Sequence, residues 1–313
     1  MLSLRLITRY YRGEKPYIHY FLKFHRSIGI KEFLIIVQNK TDFEDICNFQ
    51  KNYSDCSISI HLSEVDGSAD SALTELKLNQ YPSKSIYSML IDVDEFLLID
   101  GGSFFASDYH SIKVNWLMTS SKNHHADDRN AFYITIFKTI AKNESILKIK
   151  NPHEFVLRAS TDSDKYSTSG DNCGLYLLHH WCRSIDDAII KVCIQNIANN
   201  PKNIDVIQNG LKFFTNESEI PRRLRYAAYL ESQKSDARII QSSTYSPEYS
   251  SSLEAATITE LIDEDSYTKL KALYIEYLNF AKQKPHLFPN WPHTTSVNQV
   301  CEILPSLKKL RKE

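Results

Sequence analysis

Apolar and polar positions alternate from the first residues, with Leu2, Leu4 and Leu6 separated by Ser3 and Arg5, and this two-residue period predicts a strand. Pro16 suits the first turn of a following helix, in which Ile18, Phe21, Leu22, His25 and Ile28 share one face at helical spacing. Gly29 is its natural stop. The unbroken apolar run 33–37 then reads as a buried strand. The alternation continues with a short helix over 45–53, a strand over 57–62, a helix over 68–80 and a fourth strand over 85–91. Strands alternating with helices predict a mostly parallel central sheet flanked by helices, an α/β fold that places ligands at the carboxyl ends of its strands.

The texture changes after residue 100. Segments 114–118, 131–138, 146–149 and 175–181 have strand character and are separated by polar loops, which predicts an added mixed-sheet region. Ser184 can cap a helix carrying Asp186 and Asp187 in its first turn, where the macrodipole favours negative charge. Helices are expected to dominate from there. The Ser-, Thr- and Tyr-rich stretch 241–252, broken by Pro247, reads as a loop or lid. Beyond it Leu270, Leu273, Tyr274, Tyr277 and Leu278 mark one amphipathic helix. The expected organisation is therefore 1–192, with halves of about 1–100 and 101–192, followed by a helical C-terminal region, 193–313, packed on it.

Composition narrows the chemistry. Eight glycines in 313 residues form neither G-x-G-x-x-G nor G-x-x-x-x-G-K-[ST], which argues against a glycine-loop Rossmann enzyme and a P-loop NTPase. The 37 basic and 38 acidic residues leave a net charge of −1, so no field suited to nucleic acid is expected. The six cysteines contain no C-x-x-C pair and read as reduced thiols. The longest apolar runs are far below the ~18 residues of a membrane span. A cytoplasmic protein is expected, with Lys308, Lys309, Arg311 and Lys312 allowing at most peripheral contact with the inner face of a membrane.

The most informative stretch is Met89-Leu-Ile-Asp-Val-Asp-Glu-Phe-Leu-Leu-Ile-Asp100, in which carboxylates interrupt an apolar strand. Burying ionised carboxylates without partners costs several kcal/mol each, so Asp92, Asp94 and Glu95 must be neutralised by a metal, a base or a ligand. A hard divalent cation is the economical answer. Asp92 and Asp94, two apart on an extended chain, would lie on the same side and face one Mn²⁺ or Mg²⁺ whose open positions take substrate phosphates.

Here the sequence resembles the DVDEF-containing glycosyltransferases of the GT-A (nucleotide-diphospho-sugar transferase) fold, similar to glycosyltransferase family 92 and family 2-like bacterial relatives. Within Arg12-Gly-Glu-Lys-Pro-Tyr-Ile-His-Tyr-Phe-Leu-Lys-Phe-His-Arg-Ser-Ile-Gly29, the positions Glu14, Tyr17, Phe21, His25 and Gly29 match the family's opening, while Arg12 and Gly13 replace its Lys-Asn. Asn39, Thr41 and Asp42 loosely echo a second segment, and Val114-Asn-Trp116 a third, without the Phe-Gly that usually follows. Lys148-Ile-Lys-Asn-Pro152 with His153, and His180-Trp-Cys-Arg-Ser184 with Lys191, resemble two later family segments, though the Arg-Gly expected just after Lys191 is absent. The resemblance covers roughly residues 1–192.

The resemblance implies a metal-dependent, inverting hexosyltransferase. It takes a nucleotide-sugar donor, with UDP-sugars expected first, and a glycan or glycolipid acceptor of the lipopolysaccharide or capsule kind. It implies Asp94 as the chelator of the metal on the donor diphosphate, Asp92 on the ribose or a metal-bound water, and His180 completing the coordination with His179 pointing away. An imidazole ligand suits Mn²⁺ better than Mg²⁺. Arg183 and Lys191 become candidate phosphate partners, and Glu14 a residue shaping the nucleotide pocket. The acceptor's general base stays open among Glu95, Asp127, Asp128 and Asp171. Two other classes compete: a haloacid-dehalogenase-type phosphohydrolase, disfavoured by Glu95-Phe96 after the acidic pair, and a non-catalytic sugar- or nucleotide-binding protein or nucleotidyltransferase on a similar sheet.

Overall fold

The computed structural model describes residues 3–64, 69–99, 109–119, 130–158, 167–180, 186, 238–239 and 264–283. The chain divides into two compact units. The first comprises Met1–Leu117 and Tyr133–His179, the second Met118–Phe132 and His180–Glu313.

The first unit is an α/β assembly. Strands β1 (Leu4–Arg9), β2 (Glu32–Val37), β3 (Ser57–Leu62) and β4 (Tyr87–Leu90) lie in the order β3-β2-β1-β4 and pair in parallel. Helices α1 (Lys15–Ser27), α2 (Lys40–Gln50) and α3 (Ala69–Thr74) alternate with them along the chain. Beyond β4 the order continues through β7 (Asn130–Lys142), β6 (Ser111–Thr119), β11 (Leu175–His179) and β5 (Glu95–Ile99). Both β4 with β7 and β5 with β11 pair antiparallel. The sheet is therefore mixed rather than mostly parallel, because the second half of the unit returns strands without helical crossovers. A hairpin of β8 (Ile146–Asn151) and β9 (Glu154–Leu157) stands beside the main sheet, and β10 (Ser167–Ser169) pairs with β6.

The run from Phe33 to Val37 is apolar throughout because both sheet faces are covered. Phe33 meets Phe21 of α1 at 6.3 Å between ring centroids, while Leu34 and Ile36 join Ile7, Leu90, Leu73, Leu76, Ile149 and Phe155 in a core cluster. Each such side chain, fully buried, contributes about 1.5–3 kcal/mol relative to an exposed one.

Local signals set the helix ends. Pro16 sits in the first turn of α1, and Gly29 adopts φ 91° at its close. The Ile30 amide donates to His25 O (2.9 Å) and the Gly29 amide to Arg26 O (3.0 Å), the paired bonds of a left-handed helix stop. Helix α2 starts earlier than its apolar pattern predicts, because Asn39 accepts from the Asp42 amide at 2.8 Å and caps it. The predicted helix over 68–80 splits into α3 and a 3-10 turn, Leu78–Gln80, with Lys77 extended between them.

In the second unit, a 20-residue helix spans Glu264–Gln283, where the amphipathic pattern predicts one. Its Tyr267 and Lys271 both donate to Asp186 Oδ1. Strand β12 (Arg238–Ile239) pairs antiparallel with the start of β7. No helix among the described residues is long and apolar enough to cross a membrane. The cysteines Cys47, Cys56 and Cys173 are free thiols.

Candidate functional site

The acidic segment departs from the single strand that its sequence suggests. Strand β4 ends at Leu90, and the Ile91 amide makes one more bond to Ile7 O at 3.0 Å. The chain then turns through Asp92, Val93 and Asp94 before entering β5 at the far end of the sheet. The turn closes on itself: the Glu95 amide donates to Asp92 O (3.0 Å), and the Asp92 amide donates to Glu95 Oε2 (2.7 Å). Such reciprocal closure sends neighbouring carboxylates to different partners, so the side-by-side geometry expected of an extended chain is not formed.

Asp92 is neutralised by bases. Its Oδ2 accepts from Lys138 Nζ at 2.7 Å and its Oδ1 from an Arg9 Nη at 3.3 Å, and Arg9 also reaches Asp70 at 2.7 Å. Burial alone would raise the Asp92 carboxyl, but Lys138 and Arg9 outweigh it and hold it well below the usual carboxylate range. Burial likewise acts to lower Lys138, and Asp92 and Glu95 more than reverse this and keep the ammonium charged. Lys138, fully buried on β7, also donates to Pro152 O at 3.0 Å. Neither Lys138 nor Arg9 figures among the expected site residues. The signal was present: a lone lysine in the apolar run around Ile136, Phe137 and Ile140 needs the same explanation as a lone aspartate.

Glu95 has 0% exposure, and its Oε2 faces the Asp92 amide and Lys138. Burial pushes its pKa far up, Asp92 and Asp94 add to this, and Lys138 at 3.5 Å only partly opposes them. Glu95 serves the turn by accepting the Asp92 amide at Oε2.

Asp94 turns to a different partner. Its Oδ2 lies 3.3 Å from Nε2 of His179, the last residue of β11. His179 is the histidine expected to point away. Leu175, Leu177 and His179 share the buried side of β11, while Tyr176 and Leu178 face the other way, so strand parity brings His179 inward. His180 lies one residue beyond the strand and belongs to the second unit. Trp116 packs its ring against His179 with centroids 4.3 Å apart, and against His153 at 5.3 Å. Among the described residues its buried Nε1 meets no acceptor and the buried Glu95 Oε1 no donor.

The donor set can be tested against a small divalent ion. Two ligands at right angles, each about 2.1 Å from such an ion, lie about 3 Å apart. The 3.3 Å separation of Asp94 Oδ2 and His179 Nε2 fits that pair. Asp92 does not join them, since Lys138 and Arg9 take its oxygens. Among the described residues no three His, Cys, Asp or Glu side chains are arranged to hold a metal.

The rest of the edge is built by the matched segments. His25 is fully buried, with Nδ1 at 2.9 Å from Phe21 O, and accepts the Leu97 amide at Nε2 (3.2 Å). Its ring stacks at 6° to that of Phe96, 6.0 Å away, fixing the start of β5 from α1. Burial lowers its pKa to about 3, so it is a neutral positioning group. Glu14 is buried in a 3-10 turn (Arg12–Glu14) just after β1, where Tyr11 Oη donates to its Oε1 at 3.1 Å. Arg183, Lys191, Asp127 and Asp128 lie outside the described residues, and the Asp171 side chain is likewise undescribed.

No protein-family model matches the chain, and no curated protein matches it. Among solved structures it is similar to HddC from Yersinia pseudotuberculosis complexed with GMP-PN, at 8% identity over 56% of this chain and 92% of that one, with a TM-score of 0.34. It is also similar to S. aureus TarS 1-349, at 11% identity over 92% of both chains, with a TM-score of 0.32. TM-scores this low do not establish a shared fold.

Proposed function

We propose that the chain is a glycosyltransferase that takes a hexose from a nucleotide sugar, with UDP-sugars the first candidates, and passes it to a glycan or glycolipid acceptor. The observation that carries the reading is the Asp94–His179 pair, 3.3 Å apart at the carboxyl edge of a parallel β-sheet half. Ligands of α/β sheets gather at that edge. Asp94 and His179 would hold Mn²⁺ or Mg²⁺. Such an ion supplies, when bound, Lewis-acid stabilisation of the departing nucleoside diphosphate. The chain's own groups do the rest. Lys138 and Arg9 clamp Asp92, and Glu95 closes the turn, so that Asp94 is held in place before substrate arrives. Trp116 walls the imidazole and excludes water from it. Glu14, buried just after β1, would border the nucleotide.

The test is calorimetric titration of UDP with and without Mn²⁺, alongside a screen of UDP-, GDP- and CMP-sugar hydrolysis. Asp94→Ala is expected to weaken Mn²⁺-dependent UDP binding about 100-fold, the scale of losing one charged ligand. A folded Asp94→Ala protein that keeps both its UDP affinity and its metal dependence would overturn the assignment.

A further inference from the structure

A cavity of about 600 Å³ opens at the opposite, amino-terminal edge of the same sheet half. Its walls come from the segment after α3, the turn before β4 and the start of β8. Arg5 borders it, four residues before Arg9 on β1 and so about 13 Å from it along the strand. The two sites are therefore separate.

The guanidinium of Arg5 is built into place. It is 4% exposed, its Nε donates to Ser88 Oγ at 3.0 Å, and its Nη1 donates to Tyr81 O at 2.6 Å. Ser88 is fixed in turn by Asn143 at 2.5 Å, and Asn143 by Ser85 O at 2.7 Å. Glu32, the carboxylate that attracts Arg5, is itself occupied by the amide and hydroxyl of Ser85 at 2.9 and 2.7 Å. Among the described residues Nη2 makes no such bond, and it belongs to a side chain that lines the cavity. A buried cation held this rigidly, with one edge uncommitted, is pre-organised for an oxyanion.

Charge at the rim agrees. Lys77, Lys148 and Arg158 line the cavity, and among the described residues none of the three is in an ion pair. Among the described lining residues Glu75 is the one carboxylate, against four cations. The volume lies within the roughly 300–1,000 Å³ of small-molecule sites and far exceeds a lone phosphate. Asn79 and Ser83 add hydrogen-bonding groups suited to hydroxyls, and Tyr81 adds an aromatic wall.

We infer that this cavity is a second ligand site for an anionic sugar, a phosphorylated or carboxylated monosaccharide whose oxyanion rests on Arg5 and whose hydroxyls meet the polar lining. The inference does not rest on the donor reading. The full chain would be titrated calorimetrically with glucose 6-phosphate, with glucose and inorganic phosphate as controls, and again as the Lys148→Glu/Arg158→Glu double variant. Both substituted side chains are exposed, so the fold is retained and circular dichroism verifies it. Saturable binding of glucose 6-phosphate, silence from glucose and about tenfold weaker binding in the double variant are expected. The absence of saturation up to about 10 mM, or an unchanged affinity in the double variant, would overturn the site. Inorganic phosphate binding as tightly as the sugar phosphate would overturn its sugar component. Loss of binding in Asp94→Ala instead would assign the ligand to the acidic turn and overturn it equally.

Discussion

The two ends of β1 carry arginines in opposite circumstances. At the carboxyl end Arg9 faces Asp92 and Asp70, and Lys138 completes a set in which cations and carboxylates offset one another. At the amino end Arg5 is held by neutral oxygens of Ser88 and Tyr81 and borders an open, cationic cavity. The contrast teaches what each charge does. Compensated charges shape the backbone that presents Asp94, whereas one without a bonded carboxylate leaves its field available to a ligand.

The largest expected effect comes from removing that compensation. Lys138→Met strands the fully buried Glu95 and half of the Asp92 clamp, and loss of one partner from a buried pair costs about 3–5 kcal/mol. The lower end applies, because Asp92 is 31% exposed and keeps Arg9. Urea unfolding measures it, and an unchanged midpoint would mean that the clamp contributes nothing.

Next comes His25→Phe, which keeps a ring but orphans the Leu97 amide, at a cost of about 1–3 kcal/mol at pH 8. The pH dependence has a definite sign. The His25 pKa is lowered from 6.5 to about 3 in the fold, so the native protein loses stability as pH falls below 6.5 while the unfolded chain takes up the proton. The gap between wild type and variant should therefore narrow from pH 7 to pH 4, and a constant gap would show that His25 is not held neutral.

The smallest effect is assigned to Glu95→Gln, an uncharged mimic of the protonated acid. Because the folded pKa of Glu95 is raised above its ordinary 4.5, wild-type stability declines as pH rises past that value. The variant should gain on wild type between pH 5 and pH 8, as read from thermal midpoints. A loss that grows with pH would mean that Glu95 is ionised in the fold.

Much of the first hundred residues was legible because local rules suffice there. The two-residue period, Pro16 and Gly29 mark β1 and α1 without reference to distant residues. Asn39 was also readable as a cap, yet the apolar pattern alone starts α2 at 45 instead of Lys40. The acidic motif announced buried charge, but which partner answers it is decided by β7, over forty residues away along the chain, and by sheet order that no local period encodes. The contact of His179 with Asp94 was missed for a different reason. Leu175, Leu177 and His179 alternate plainly, and reading the parity inward from the leucines would have selected His179 over His180.

The bond from the Leu97 amide to His25 has a consequence for solubility. Strand β5 closes the described sheet on one side, and a terminal strand with free backbone groups invites strands from other molecules to add to it. Here an imidazole from α1 takes a donor that such an intruder would need, and the helix packed alongside bars its approach. The side chain that steadies the acidic turn also protects the chain from stacking into aggregates.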